Sequence, residues 1–367
     1  MKNKMILFIS LISLFHLSSC SDSISTSSSI INKESSSINI NESTSNYVSS
    51  TSSTVSSSLS NSKESISSYS STSSASTPSS SVSNSLSNST SSSTISSLTS
   101  SNDDVENIPG VIPYFSSDNK KVQYGFYPQS YVKDEELIKS LNELNESDNN
   151  WYYYEDSYYV KEIAKVYKGD SYSFNDNTSI VNGDEYWFKC EPITWDVLCN
   201  ENGNYTLVSS LLLDVSVYYN NYENRTINEK NIYANDYEYS DIREWINNEF
   251  FNSAFRLNNK NIVNTSINNN EDKVYLLSYQ DYINEDYGFS LDSNVSKTRE
   301  VQVTDYAKVK GAWCNKDKNT SSYWTRTPSS EYSYAAWNVN SGGKLSEYAV
   351  DGIDHCVRPA ITIFINK

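Results

Sequence analysis

Between Ser21 and Ser101, 42 of 81 residues are serine, Thr and Asn supply much of the rest, and Tyr47 and Tyr69 are the only aromatic residues. A segment of this kind cannot bury enough apolar surface to offset the entropy lost on ordering it. The expectation is a disordered stalk that cuts the chain into three parts. With a flexible-coil reach of roughly 5 to 6 Å times the square root of residue number, it spans on the order of 50 Å on average.

The segment before it, residues 1–19, opens with Lys2 and Lys4, runs apolar from Met5 to Leu17 and closes in small residues ahead of Cys20. That is the pattern of an export signal. The apolar run is shorter than the roughly 20 residues needed to cross a bilayer. Leu17-Ser18-Ser19-Cys20 resembles the lipobox of bacterial lipoproteins, in which a peptidase cuts just before a cysteine carrying a diacylglyceryl group. The resemblance implies lipidation at Cys20 and anchoring to the outer face of a bacterial cell membrane. Acyl chains contribute about 0.8 kcal/mol per buried methylene, so more than one chain anchors stably. Residues 20–101 would then be the lipidated cysteine and its linker.

Residues 102–367 are expected to form a single globular domain. The first 101 residues hold four Lys against four acidic residues, so the formal net charge of -17 belongs entirely to this part. Such a surface disfavours nucleic acid and anionic lipid as partners.

Helix signals are few. Asp134 can cap a helix carrying Leu137, Ile138, Leu141 and Leu144 at helical spacing. Ser240 can cap another with Ile242, Trp245, Ile246 and Phe250 on one stripe. Thr304 can cap a third that stops at Gly311. Strands surround them. Ile193, Trp195 and Val197 alternate, Pro192 marks a bulge, and Asn202-Gly203 turns the chain into "NYTLVSS" as a hairpin. "DKVYLLSY" and "AITIFIN" supply further strands. Strands and helices without regular alternation predict an α+β fold. In "YWTRTPSSEYSYAAWNVNSGG" the alternation puts Trp337 in the core and Asn338 and Asn340 on the opposite face, where they can meet a ligand. Arg326 and Arg358 are either internal partners of carboxylates or clamps for an anionic ligand group; the internal pair is favoured in an acidic domain.

Seven motifs occur in order: "YGFYPQ", "WFKCEPITWDVL", "YEYSDIREWINNEFFNSAF", "DKVYLLS", "TDYAKVKGA", "YWTRTP" and "VRPAI". Over Val122 to Ile365 the chain thereby resembles a bacterial domain-of-unknown-function family, number 6273. Members of that family look like relatives of the formylglycine-generating-enzyme and C-type-lectin group, which implies a mixed, irregular α+β scaffold ending in a tryptophan-containing hairpin and a last strand. The family brings no established activity with it.

The chemistry of that group does not transfer. Formylglycine generation needs two closely spaced cysteines near the C-terminus, and Cys190, Cys199, Cys314 and Cys356 provide no such pair. Cys190 and Cys199 could form a bridge across a strand pair, since export permits it; free thiols are the favoured state. His355 adjoins Cys356, yet neighbours on one strand point to opposite faces. One imidazole and no Cys-x-x-Cys disfavour zinc. Calcium has only weak candidates in "NDN" at 175–177 and "DGIDH" at 351–355, and a lectin-type calcium site would need oxygen ligands where Ile193 and Val339 stand. No cofactor is therefore expected. The 30 tyrosines could stack on sugars, although a bias toward AT-rich codons explains them as readily. The expectation is a non-catalytic binding or adhesion head for a cell-wall, glycan or protein ligand. The alternative is a surface hydrolase of glycan or peptidoglycan with paired carboxylates.

Overall fold

The computed structural model describes residues 109–145, 147–268 and 270–366. Cys20, the expected export signal and the serine tract lie outside them. In chain order come β1 (Tyr114–Phe115), β2 (Lys121–Tyr131), helix α1 (Glu135–Asn142), β3 (Trp151–Tyr154), β4 (Ser157–Ile163), β5 (Glu185–Glu201), β6 (Asn204–Ser209) and β7 (Asp214–Val215). A hairpin of β8 (Arg225–Ile227) and β9 (Lys230–Ile232) leads to α2 (Asp241–Trp245), a π turn (Ile246–Phe250) and α3 (Phe251–Ala254). Then follow β10 (Ile262–Val263), β11 (Thr265–Ile267), β12 (Asn270–Asp272), β13 (Val274–Leu276) and α4 (Asp305–Val309). The C-terminal part holds β14 (Tyr323–Pro328), β15 (Ala335–Val339), β16 (Leu345–Ala349), β17 (Cys356–Val357) and β18 (Pro359–Phe364). The fold is mixed and strand-rich.

Two sheets carry the molecule. In the nine-stranded sheet, the 17-residue β5 pairs with β2 along one edge and is shared on the other by β4 and then β6. β18 lies between β6 on one side and β10 and β13 on the other. The five-stranded sheet runs β16-β15-β14-β17-β7, and only the β14–β17 pair is parallel. One cluster of buried side chains extends from Val122 to Ile363, centred on rings such as Trp195, Trp324, Phe188 and Tyr237. A small satellite beneath α1 holds Val132, Leu141, Tyr159 and Trp187.

Local signals explain the helices. Asp134 accepts from the Leu137 amide, Ser240 from Arg243 and Thr304 from Ala307, so each expected cap satisfies a first-turn N–H that has no partner within the helix. The π turn after α2 was not foreseen. It places Asn247 against β13, where Oδ1 accepts from the Lys273 and Val274 amides and Nδ2 donates to the Val274 carbonyl. The side chain thus joins helix to sheet. Asn202 (φ 53) and Gly203 (φ 90) form the expected turn between β5 and β6. The extra residues opposite Pro192 sit on β2, around Gly125 and Gln129, rather than at the proline.

The reading of the β15 hairpin needs correction. Trp337 is only half-buried, its ring against Tyr279 at 4.6 Å, whereas Asn338 is 3 % exposed. Both faces of this sheet are covered, so alternation does not separate core from solvent. Trp324, fully buried, is the tryptophan that fills the interior. Asn340 serves the turn: its Oδ1 accepts from the Gly342 and Lys344 amides. A bridge between Cys190 and Cys199 is also ruled out. Both lie on β5, nine residues apart, a strand rise of about 30 Å. All four cysteines described are free thiols.

Candidate functional site

A cleft of about 550 Å³ opens where the end of β15, the middle of β16, the loop before β17 and the turn Tyr167–Gly169 meet. The turn gives the cleft its cation. Lys168 sits at φ 52, ψ 17, a left-handed conformation unusual for a side chain of its kind. Its Nζ lies 4.9 Å from the centroid of the Tyr167 ring. The wall opposite is built on β16, whose Tyr348 stays 43 % exposed and faces the opening. Trp313 completes the aromatic lining, and its amide donates to the Asp354 carbonyl at 3.2 Å.

Behind the rings lies a polar chain. Ser346 Oγ donates to Asn338 Oδ1 at 2.6 Å, Asn338 Nδ2 lies 2.6 Å from His355 Nε2, and His355 Nδ1 lies 3.1 Å from Asp354 Oδ1. With Asn338 as donor, Nε2 is the acceptor and Nδ1 carries the proton given to Asp354. The imidazole is packed between Trp324, 4.4 Å away and nearly parallel, and Tyr348, 4.3 Å away. Burial tends to raise the Asp354 carboxyl, but the hydrogen bond from His355, helped by Lys168, holds it below the ordinary carboxylate value. Burial pushes the Tyr348 hydroxyl up, with the Asp354 charge adding to it.

The arrangement offers no activated nucleophile at His355. Both imidazole nitrogens are engaged, one by an amide and one by a carboxylate, and neither meets a nucleophile. Cys356 lies in the core on β17, its thiol pushed well up by burial. A glycosidase acid requires a carboxyl raised toward neutrality, and Asp354 is shifted the other way.

Of the residues singled out in the sequence, Asn338, Asn340, His355 and the Asp354 of "DGIDH" line the cleft, and Arg326, Trp337 and Arg358 do not. Arg326 takes the internal alternative, pairing with Asp281 at 2.8 Å and donating to the Leu276 carbonyl at 2.9 Å. Arg358 is buried beneath β14 and β6, donating to the Ser209 carbonyl at 2.9 Å and lying 3.5 Å from Asp196. Trp337 packs on Tyr279. Glu191 is on β5 of the large sheet and Asn338 on β15 of the other, and Glu191 accepts from Ser130. Among the described residues no three His, Cys, Asp or Glu side chains gather as metal ligands do. Sequence reading missed Tyr167, Lys168, Trp313 and Tyr348. Only "YKGD" carried a usable sign, because Gly169 favours a turn at that place. A second groove, about 590 Å³, lies along α2; the Arg243–Asp272 pair at 2.5 Å belongs to its lining. It contains none of the residues expected from the sequence.

Residues 202–365 match the family described as Domain of unknown function (DUF6273), a little under half of the chain. The motifs "YGFYPQ" and "WFKCEPITWDVL" precede the matched span. No curated protein and no solved structure matches the chain.

Proposed function

We propose that residues 102–367 are a non-catalytic binding head for a cell-wall or glycan ligand. It is carried outside a bacterial membrane on a lipidated Cys20 and a serine-rich tether. The same reading relates its scaffold to the formylglycine-generating-enzyme and C-type-lectin group. The observation that carries the binding role is the cleft itself. Aromatic faces at Tyr167, Trp313 and Tyr348 surround amide and hydroxyl groups, and the one described histidine is held by Asn338 and Asp354. Flat rings beside a few fixed polar groups suit sugars and other ligands with both apolar and polar faces.

Incubation of the purified protein with insoluble peptidoglycan and with immobilised glycans tests this. Saturable retention without release of soluble fragments is the expected result, and Tyr348→Ala should weaken it about tenfold while the protein still unfolds cooperatively. Release of fragments by the wild type would replace the binding role with the hydrolase reading.

A further inference from the structure

The cleft already holds a cation of its own. Lys168 Nζ rests over the Tyr167 ring at 4.9 Å, close enough for the ring quadrupole to attract it. No carboxylate lies within ion-pair distance of that ammonium among the described residues. The backbone bends into a left-handed conformation to put it there, at φ 52. Two more rings, Trp313 and Tyr348, border the same space, and Asp170 and Asp354 supply its negative charge. His355 takes Oδ1 of Asp354; Oδ2 makes no side-chain hydrogen bond among the described residues. Aromatic faces combined with carboxylates are the environment in which an alkylammonium group is best accommodated.

We infer that the cleft binds ligands through an ammonium group, and that Lys168 occupies the cation position until such a ligand displaces it. This rests on the binding role proposed above and narrows it to an amine-bearing ligand. An acidic ligand would meet Asp170 and Asp354 with a single lysine to offset them, in a head whose formal charge is -17. A neutral sugar would use the rings and donate hydroxyl hydrogen bonds to the carboxylates, but it would leave their charge unpaired. Lys168 is exposed, so its departure requires no rearrangement of the core. The Tyr167 hydroxyl, more than Asp354, favours the protonated form of the lysine.

Calorimetric titration of the full chain with matched probes tests the inference. Choline is compared with its neutral carbon isostere 3,3-dimethylbutan-1-ol, and glucosamine with glucose and glucuronate. The expected result is that at least one ammonium probe binds about tenfold or more tightly than its neutral partner, and that glucuronate does not bind. Choline alone would point to a quaternary ammonium, glucosamine alone to an amino sugar. Lys168→Met keeps the side-chain length and removes the competing charge, so it should tighten ammonium binding severalfold. Trp313→Ala should weaken it by about tenfold. Equal affinity for charged and neutral partners, preference for glucuronate, or weaker ammonium binding by Lys168→Met would overturn the inference. If peptidoglycan or glycan is retained by the cleft while both ammonium probes fail, the amine class falls and the binding role stands. If nothing is retained at all, both fall.

Discussion

Asn338 shows most sharply what a single side chain does here. Its amide joins Ser346 to His355, so Asn338→Ala removes two hydrogen bonds and strands the buried His355 beside a half-buried Ser346, at about 2–3 kcal/mol. Trp337→Ala, at a half-buried ring, should cost less than the ~3–5 kcal/mol of a fully buried aromatic. That larger cost belongs to Trp324, which is fully buried. Urea unfolding of the three variants checks the order, and a Trp337→Ala effect larger than that of Asn338→Ala would contradict it. Alternation in the sequence suggested the reverse order, because it records which residues share a face and not whether both faces are covered. Asp214 offers a pH test. It is buried with one oxygen taken by the Tyr127 hydroxyl at 2.5 Å and the other by the Val215 amide at 2.7 Å. Burial raises its carboxyl above the ordinary value of 3.8, so the folded state retains a proton that the unfolded chain has lost. Its contribution is intact below 3.8 and declines as pH rises toward the folded value. Relative to Asp214→Asn, the wild type should therefore lose stability as unfolding is measured upward from about pH 3, then level off. An increase over that window would mean that the Tyr127 bond outweighs burial.

At the level of elements, local chemistry was legible and long-range chemistry was not. Caps at Asp134, Ser240 and Thr304 and the turn at Asn202-Gly203 depend on residues adjacent in sequence, and each is where the sequence placed it. The cleft depends on the turn at 167–169 meeting residues near 313, 348 and 354, and nothing local records that meeting. Arg299 is a similar case. Wholly buried, it donates to the carbonyls of Gly343, Tyr282, Ser290 and Asn294, fastening the 282–294 segment to the β15–β16 turn. The turn must approach closely for this to happen. Gly343 has φ 75, and a Cβ there would lie 2.0 Å from the Ser296 carbonyl oxygen. Gly343→Ala therefore combines backbone strain with a clash that only backbone movement relieves. A loss of more than about 2 kcal/mol is expected, with faster amide exchange in the 290–299 segment. Unchanged melting and exchange would show that the turn and segment are independent.

For the molecule as a whole, the central fact is the position of β18. Residues 359–364 lie between β6, about 150 positions earlier, and β10 and β13, while Arg358 just before them reaches Ser209 and Asp196. Pairings this distant in sequence are slow to form, because the intervening chain must be ordered before they return any free energy. A chain ending at residue 355 should show no cooperative unfolding transition, and a sharp one would mean that the earlier strands close a core unaided. The arrangement also sets a clock. A ribosome that has polymerised the first 350 residues has made nearly all of the future interior, yet the strand that joins β6 to β10 and β13 has not been synthesised. Until that strand arrives the large sheet stays open between β6 on one side and β10 and β13 on the other, and the interior they would enclose stays in contact with water.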